Sequence, residues 1–517
     1  MANSFPVDLA HAVFKELKRH GTTDVDIDTL TDLFETLYFA SLETEELQPI
    51  TCYIVYLDPK NIASHRPPSP RSNFWTPVHF AAPRPLDIPN LVKLAKASDP
   101  RTSSFAVYPD LNAQGQLSIW GLIDQGNSYH DYMNHDSTAG YQRPGLFQAS
   151  ILGIGHIVVF IGPEKIAELE SSILLGKFFN VLAHGKIRAA LEPGIQTHRE
   201  SVEDVLVKQK LFPKDHSKFF HHSQKKWLIR SGVAPKDIAE IFRRRWDKRL
   251  ADDWLSSLAR LLLRVQNFRH GGAILITPDL SHRNLNVRQS IQYPRLRSAL
   301  TTQAVTYDKT LLSYNSIDEQ FVDSADKNMP VIFYLNSYVW NDHLADCRHE
   351  IDGTIWFISL LTRVDGLVLM NQHLEVQGFG VLINVPDDDL PEFVIAGDED
   401  ATPTQTRPFP FDRFGTRHQT MMRYCARIPN SVGFVISQDG DVRAMTQVDG
   451  RVVMWTDIQL QRNVETKDSL KNKFPTWIPV RRVRSAAKTG SNFLATPKRK
   501  RRRRVKRIKR DVDSNPS

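Results

Sequence analysis

Between Pro235 and Val265 the apolar residues Ile238, Ile241, Phe242, Trp246, Leu250, Trp254, Leu255, Leu258, Leu261, Leu262 and Val265 fall at steps of three, four and one. Wound at 3.6 residues per turn, this run gives one continuous apolar stripe, so it predicts a long amphipathic helix or two in tandem. Proline at the first position suits a helix start, where its missing N–H is not needed. Arg243, Arg244, Arg245, Lys248 and Arg249 lie opposite the stripe and read as a solvated face. Directly afterwards comes GGAILI, residues 271 to 276, the pattern of a strand buried on both faces and opened by glycines. A helix that must bury one side, followed by such a strand, calls for a layered α/β unit; 517 residues leave room for two to four domains.

Later strands follow the same logic. GLVLMNQHLEVQGFGVLINV, from Gly366, reads as a hairpin, and Gly433 to Ser437 as a strand. The Asp439-Gly440 pair turns that strand into Val442 to Thr446, and Asp449-Gly450 turns again into Val452 to Trp455. Residues 386 to 411 hold five prolines and seven Asp or Glu and read as a loop. In the first 200 residues, SFAVYPDLNAQGQLSIWGLID and GLFQASILGIGHIVVFIG are each β-rich with a glycine-containing turn. LGIGH within the second lacks the third glycine and the following helix of a dinucleotide loop. His130, Asp131, His135 and Asp136 share a stretch rich in Asn, Ser and Gly and read as a loop, because no fixed ligand spacing is met. His216, His221 and His222 read as a polar connector.

Charge is concentrated at one end. Lys498–Arg510 reads KRKRRRRVKRIKR, 11 basic residues in 13, and without them the formal net charge of +8 becomes −3. Such a block repels itself and buries nothing, so residues 461 to 517 are expected to be a disordered basic tail. Nucleic acid, an anionic lipid surface or plain solvation are its three readings. No run of 18 apolar residues occurs, and Met1 to Ala40 lacks the pattern of a signal peptide, which places the chain in the cytoplasm with no transmembrane segment. Cys52, Cys347 and Cys425 are odd in number and far apart, so they read as reduced thiols.

The chemistry centres on FGTRHQT, residues 414 to 420. A helix beginning after Gly415 and Thr416 offers unpaired N–H groups to an anion. Arg417 adds a planar fork for two phosphate oxygens, His418 a further donor, and Thr416 and Thr420 hydroxyls that cap or touch oxygen. Gly-Thr before a helix also reads as an ordinary N-cap. Asp365-Gly366 stands at a strand start, where a carboxylate can hold a hard cation and glycine admits a close approach; a plain turn is the other reading. Ser437 ends a strand and reads as turn chemistry.

GGAILI, VDGLVLM and FGTRHQT, in this order, resemble the diadenylate cyclase (DAC, or DisA_N) domain family over residues 250 to 460. Residues 1 to 200 are similar in placement to the DACNV-type sensor domains that precede such cyclases. The resemblance implies a DAC-type mixed β-sheet flanked by helices (250–460), a separate α+β sensor-like domain (1–200), a helical connector (201–249) and the tail. It further implies that Asp365 with Mg²⁺ or Mn²⁺ activates the ribose 3′-hydroxyl of one ATP toward the α-phosphate of a second, giving cyclic di-AMP. Asp365, Arg417 and His418 would be catalytic; Gly366, Leu367, Gly415, Thr416, Thr420 and Ser437 would line the ATP site, and two domains would meet as a homodimer or higher homo-oligomer. The chain departs from the family where Gln419 replaces a second arginine and Leu367 an alanine. Residues 307 to 353 and the acidic loop 386 to 400 look like insertions. The departures favour the alternative, a degenerate nucleotide-binding module.

Overall fold

The computed structural model describes residues 4–460 except 22–23, 63–74, 99–102, 111–114, 125–144, 163, 171, 176–177, 214–215, 221, 269, 281–282, 322–330, 387–389, 409–410, 412–413, 439–440 and 457. His130, Asp131, His135, Asp136, His221 and the tail lie outside the described residues. No helix among the described residues is long and apolar enough to cross a membrane.

The first unit is an eight-stranded sheet with helices on one face. Its strands are β1 (Cys52–Tyr56), β2 (Thr76–Pro85), β3 (Ser103–Asp110), β4 (Gln116–Asp124), β5 (Phe147–Gly153), β6 (His156–Ile161), β7 (Glu164–Glu170) and β8 (Ile173–Leu175), in the order β8-β7-β6-β5-β1-β3-β4-β2. Only β1 and β3 pair in parallel. Period-two alternation sends Ile54, Phe105, Phe147, Ile151, Ile157 and Leu169 into one core with Leu9, Val13, Leu30 and Phe34. The last four lie on α1 (Pro6–Arg19) and α2 (Ile27–Ser41). The expected strand pairs are β3–β4 and β5–β6, and a strand does follow LGIGH.

In the second unit the apolar stripe forms one helix. α3 (Ile88–Leu94) belongs to the first unit; there follow α4 (Gly185–Lys208), α5 (His222–Arg230), α6 (Pro235–Asn267), α7 (Arg295–Phe321), α8 (Val331–Leu361) and α9 (Thr416–Arg427). The strands are β9 (Gly272–Ile276), β10 (Leu285–Tyr293), β11 (Leu367–Met370), β12 (Val376–Ile383), β13 (Phe393–Ile395), β14 (Arg407–Pro408), β15 (Val432–Ile436), β16 (Val442–Val448) and β17 (Arg451–Trp455). Their order is β10-β12-β11-β9-β15-β16-β17-β13-β14. β9 sits at the centre, parallel to β11 and antiparallel to β15, and all five of its residues are buried. Ile274 and Ile276 face the cluster of α4, α6 and α8, whereas Ala273 and Leu275 face α9. This is a mixed sheet covered on both faces.

Four expectations are corrected. Residues 201–249 are no connector: α4 runs across residue 200 and α6 across residue 249. Val202, Leu206, Phe219 and Trp246 bury themselves with Leu250, Ala304 and Val305, and at Gly194 a Cβ would meet the Gln372 carbonyl oxygen at 1.9 Å, so α4 lies hard against the second unit. His216 is buried among the rings of Phe212, Phe219 and Trp246 and is not part of a polar linker. The stretch 386–411 holds β13, parallel to β17, and β14; Pro408 is tolerated because β14 is an edge strand. Arg249, read as solvated, is buried and bonded to Asp308.

The described residues of the segment 307–353 belong to α7 and α8, which pack on each other and contribute Leu311, Leu344 and Ile351 to the interior. Of the acidic loop, Glu399 is tied to the segment that leads into α4. Its carboxylate accepts from the Asn180 N–H at 3.2 Å and its carbonyl from the Lys186 N–H at 3.0 Å.

Candidate functional site

Because β9 and β11 are parallel and β15 runs against them, the start of β9, the start of β11 and the end of β15 share one end of the sheet. Gly271, Asp365-Gly366 and Ser437-Gln438 therefore converge from segments more than sixty residues apart in sequence. The first turn of α9 lies at the same end: Arg417 Nη1 is 3.2 Å from where a Cβ on Gly271 would stand, and Arg417 Nη2 is 3.9 Å from Asp365 Oδ1. The Asp365 side chain is 91% exposed, so this ion pair adds little to stability and both groups are available to a ligand. Gly415 is the N-cap of α9, and no side chain caps the helix. Gly415 and Thr416 are exposed, which leaves the positive end of the helix open.

Other residues have different work. Gly366 has φ +113°, and a Cβ there would stand 2.6 Å from the Gly380 carbonyl carbon of β12. Glycine is thus required by the neighbouring strand, not by the approach of a ligand. Leu367 is buried in the layer beneath α9 with Met421 and Met445, so its side chain belongs to the core and not to the open site. The Thr420 hydroxyl donates back to the Thr416 carbonyl at 3.0 Å. Ser437 Oγ accepts from the Asp441 N–H at 3.1 Å, the turn reading of that residue. Gln419 Nε2 donates to the Phe414 carbonyl at 2.7 Å and holds the loop before α9.

His418 is buried and sits 3.3 Å by its Nε2 from Arg443 Nη1. A guanidinium only donates, so Nε2 accepts and the ring proton is on Nδ1. Burial first, then the charges of Arg443 and Arg417, press its pKa down to about 4. His418 is neutral at pH 7 and offers one N–H, not the positive charge of an imidazolium. Arg443 is the cation that sequence reasoning missed. It is half-buried on β16, donates to Asp441 Oδ2 at 3.2 Å and stacks on Phe414 at 5.0 Å. Its signal was an arginine in the strand VRAMTQV, on the same face as the buried Met445.

A second neutral histidine, His198 on α4, has both ring nitrogens without a hydrogen-bond partner among the described residues. Burial, followed by Arg249, Arg199 and Arg297, lowers its pKa to about 3. Both shifts have one sign. The unfolded chain takes up protons near pH 6.5 that the folded chain refuses, so the stability these groups carry is complete above pH 6.5 and is lost as pH falls toward 4 and 3. The urea midpoint is expected to fall between pH 7.5 and pH 4.5 by an amount equivalent to roughly 2–4 kcal/mol. His198→Leu should flatten that dependence, and an equally steep profile in the variant would contradict it.

Residues 24–124 match the family model described as "Probable sensor domain DACNV". That span runs from the turn before α2 to the end of β4, so the first unit contains a sensor-type domain. No curated protein is similar enough to the chain to count as a match.

Proposed function

We propose that the chain is a sensor-linked diadenylate cyclase that condenses two ATP into cyclic di-AMP and releases two pyrophosphates. The observation that supports this most is the meeting of Asp365, Arg417, Arg443 and the uncapped start of α9 at one end of the sheet. Negative charge is held there by the exposed Asp365 carboxylate and by Asp441, which is paired with Arg443, and positive charge by two guanidinium groups and a helix end. Such a set suits a triphosphate, because phosphoryl transfer relies mainly on positioning and charge stabilisation.

Asp365 fits a Mg²⁺ or Mn²⁺ site of the kind that one protein carboxylate shares with substrate phosphates. A divalent ion held there supplies acidity to the ribose 3′-hydroxyl and neutralises phosphate charge. Arg417 grips two oxygens of the α-phosphate or its neighbour, and the first-turn N–H groups of α9 donate to the remaining oxygens. Arg443 takes the place of the cation lost at Gln419, while His418 holds that guanidinium in position. Each chain contributes one ATP, so two chains face each other during the reaction. In this reading the tail Lys498–Arg510 serves as a sequence-independent grip on nucleic acid or an anionic surface.

The test is full-length protein incubated with ATP and Mn²⁺ or Mg²⁺, with products separated by chromatography. Cyclic di-AMP and pyrophosphate in a 1:2 ratio are expected. Unchanged ATP with either metal overturns the cyclase. The second reading, a nucleotide-binding module without turnover, is favoured by the inward turn of Gln419 onto Phe414, and saturable ATP binding without product would select it.

A further inference from the structure

We propose that His156, Glu168 and Glu170 on the sensor unit form a site for one divalent transition-metal ion of the Zn²⁺ class. The site lies on the same sheet as the sensor match and beyond its last matched residue.

The three residues meet because of strand register. On the antiparallel pair β6–β7, His156 stands opposite Glu170 and Val158 opposite Glu168. Ile157, Val159, Ala167 and Leu169 point into the helix-covered core, so alternation turns His156, Glu168 and Glu170 to the other face. His156 Nε2 is 2.7 Å from Glu168 Oε1, and Nδ1 is 3.7 Å from Glu170 Oε1. One ligand atom from each residue lies within 4.8 Å of the others. A tetrahedral ion with bonds of about 2.0–2.2 Å sets its ligand atoms roughly 3.3–3.6 Å apart, so small rotations of these side chains are enough.

The chemistry of the set narrows the ion. An imidazole with two carboxylates suits Zn²⁺, Ni²⁺, Co²⁺ or Mn²⁺, whereas Mg²⁺ and Ca²⁺ prefer oxygen alone. Two carboxylates neutralise the ion. Glu168 is 5% exposed, and Lys165 Nζ binds its Oε2 at 2.5 Å. That contact occupies Oε2 and fixes the carboxylate from outside, while Oε1 is the oxygen that faces His156 Nε2 at 2.7 Å, the pair an ion would enter.

A second observation comes from the neighbouring strand. Gln148 Oε1 and Ser150 Oγ on β5 are buried and have no hydrogen-bond partner among the described residues. Ser150 stands opposite Val158, on the same face as the three ligands. Buried polar atoms are rarely left so, and their presence marks this face as one furnished for a polar guest. Three protein ligands leave a coordination position open, on the side where the Glu170 side chain is 41% exposed.

Metal-free full-length protein titrated with Zn²⁺ in a calorimeter is expected to take up one equivalent with an upward shift in unfolding temperature. Co²⁺ should give a visible d–d band. His156→Ala should weaken Zn²⁺ binding by roughly 100-fold, and Glu170→Gln, at the exposed ligand, by roughly 10-fold. Asp365→Asn should leave it unchanged, which separates this site from any ion at the end of the second sheet and from the fate of the cyclase reading. Absence of Zn²⁺ binding in the unaltered protein overturns the proposal, as does undiminished affinity in Glu170→Gln.

Discussion

Asp365→Asn is expected to lower cyclic di-AMP formation by roughly 10²–10³-fold while leaving thermal unfolding where it was. The two halves of that result come from different observations. The carboxylate is 91% exposed and its contact with Arg417 is 3.9 Å, so its loss removes an ion pair worth about 0–1 kcal/mol. Its charge, on the other hand, is the one the proposed reaction needs at the start of β11, facing Arg417 across the end of the sheet. An amide of the same shape keeps the geometry and loses the anionic oxygen that a hard cation requires. Chromatographic product analysis and a melting curve on the same sample check both halves. Turnover within a few-fold of the unaltered protein, with native unfolding, would remove Asp365 from the reaction.

The elements that declare themselves in the sequence are those whose burial is written in local pattern. β9 is five consecutive buried residues, α6 carries a stripe with a helical period, and Asp449-Gly450 supplies the positive φ of its turn, with φ values of 48° and 78°. The meeting of Asp365 with Arg417 was legible only through the resemblance, because parallel pairing of β9 with β11 is a long-range fact that no local spacing encodes. Arg443 was missed for a related reason. Its role comes from His418 on the helix above the sheet, 25 positions away in sequence. The expected boundary at residue 200 falls inside α4, whose buried face, Ile187, Leu191, Ile195 and Val202, is interrupted by Pro193 and crowded with charge. β13 is three residues long, too short to stand out among prolines and acids. Even His418 was half legible: its place in the site could be anticipated, its neutrality could not, since that follows from burial and from a guanidinium 25 positions away.

Asp308→Ala is expected to cost roughly 3–5 kcal/mol. Asp308 is fully buried on α7. Its Oδ1 accepts from Arg249 Nη2 at 2.6 Å and its Oδ2 from Trp246 Nε1 at 2.8 Å, both donors lying on α6. Burial opposes the charge on Arg249, but Asp308 and Asp253 outweigh it and hold the guanidinium above its ordinary range. With alanine at 308, a cation only 8% exposed keeps Asp253 at 3.7 Å as its remaining carboxylate, and an indole N–H loses its acceptor. The larger part of the damage is the poorly compensated charge, which gives the control: Arg249→Met with Asp308→Leu should recover much of the loss, because no guanidinium stays buried, while the Trp246 N–H still lacks its acceptor. Urea unfolding of the three proteins at pH 7.5 measures both numbers. The outcome bears on the segment 307–353, whose second residue is Asp308. If that segment were an addition to a complete core, Asp308→Ala would cost less than about 1 kcal/mol; a loss several times larger means that α7 closes the core against α6 and that removing it would unfold the unit carrying Asp365 and Arg417.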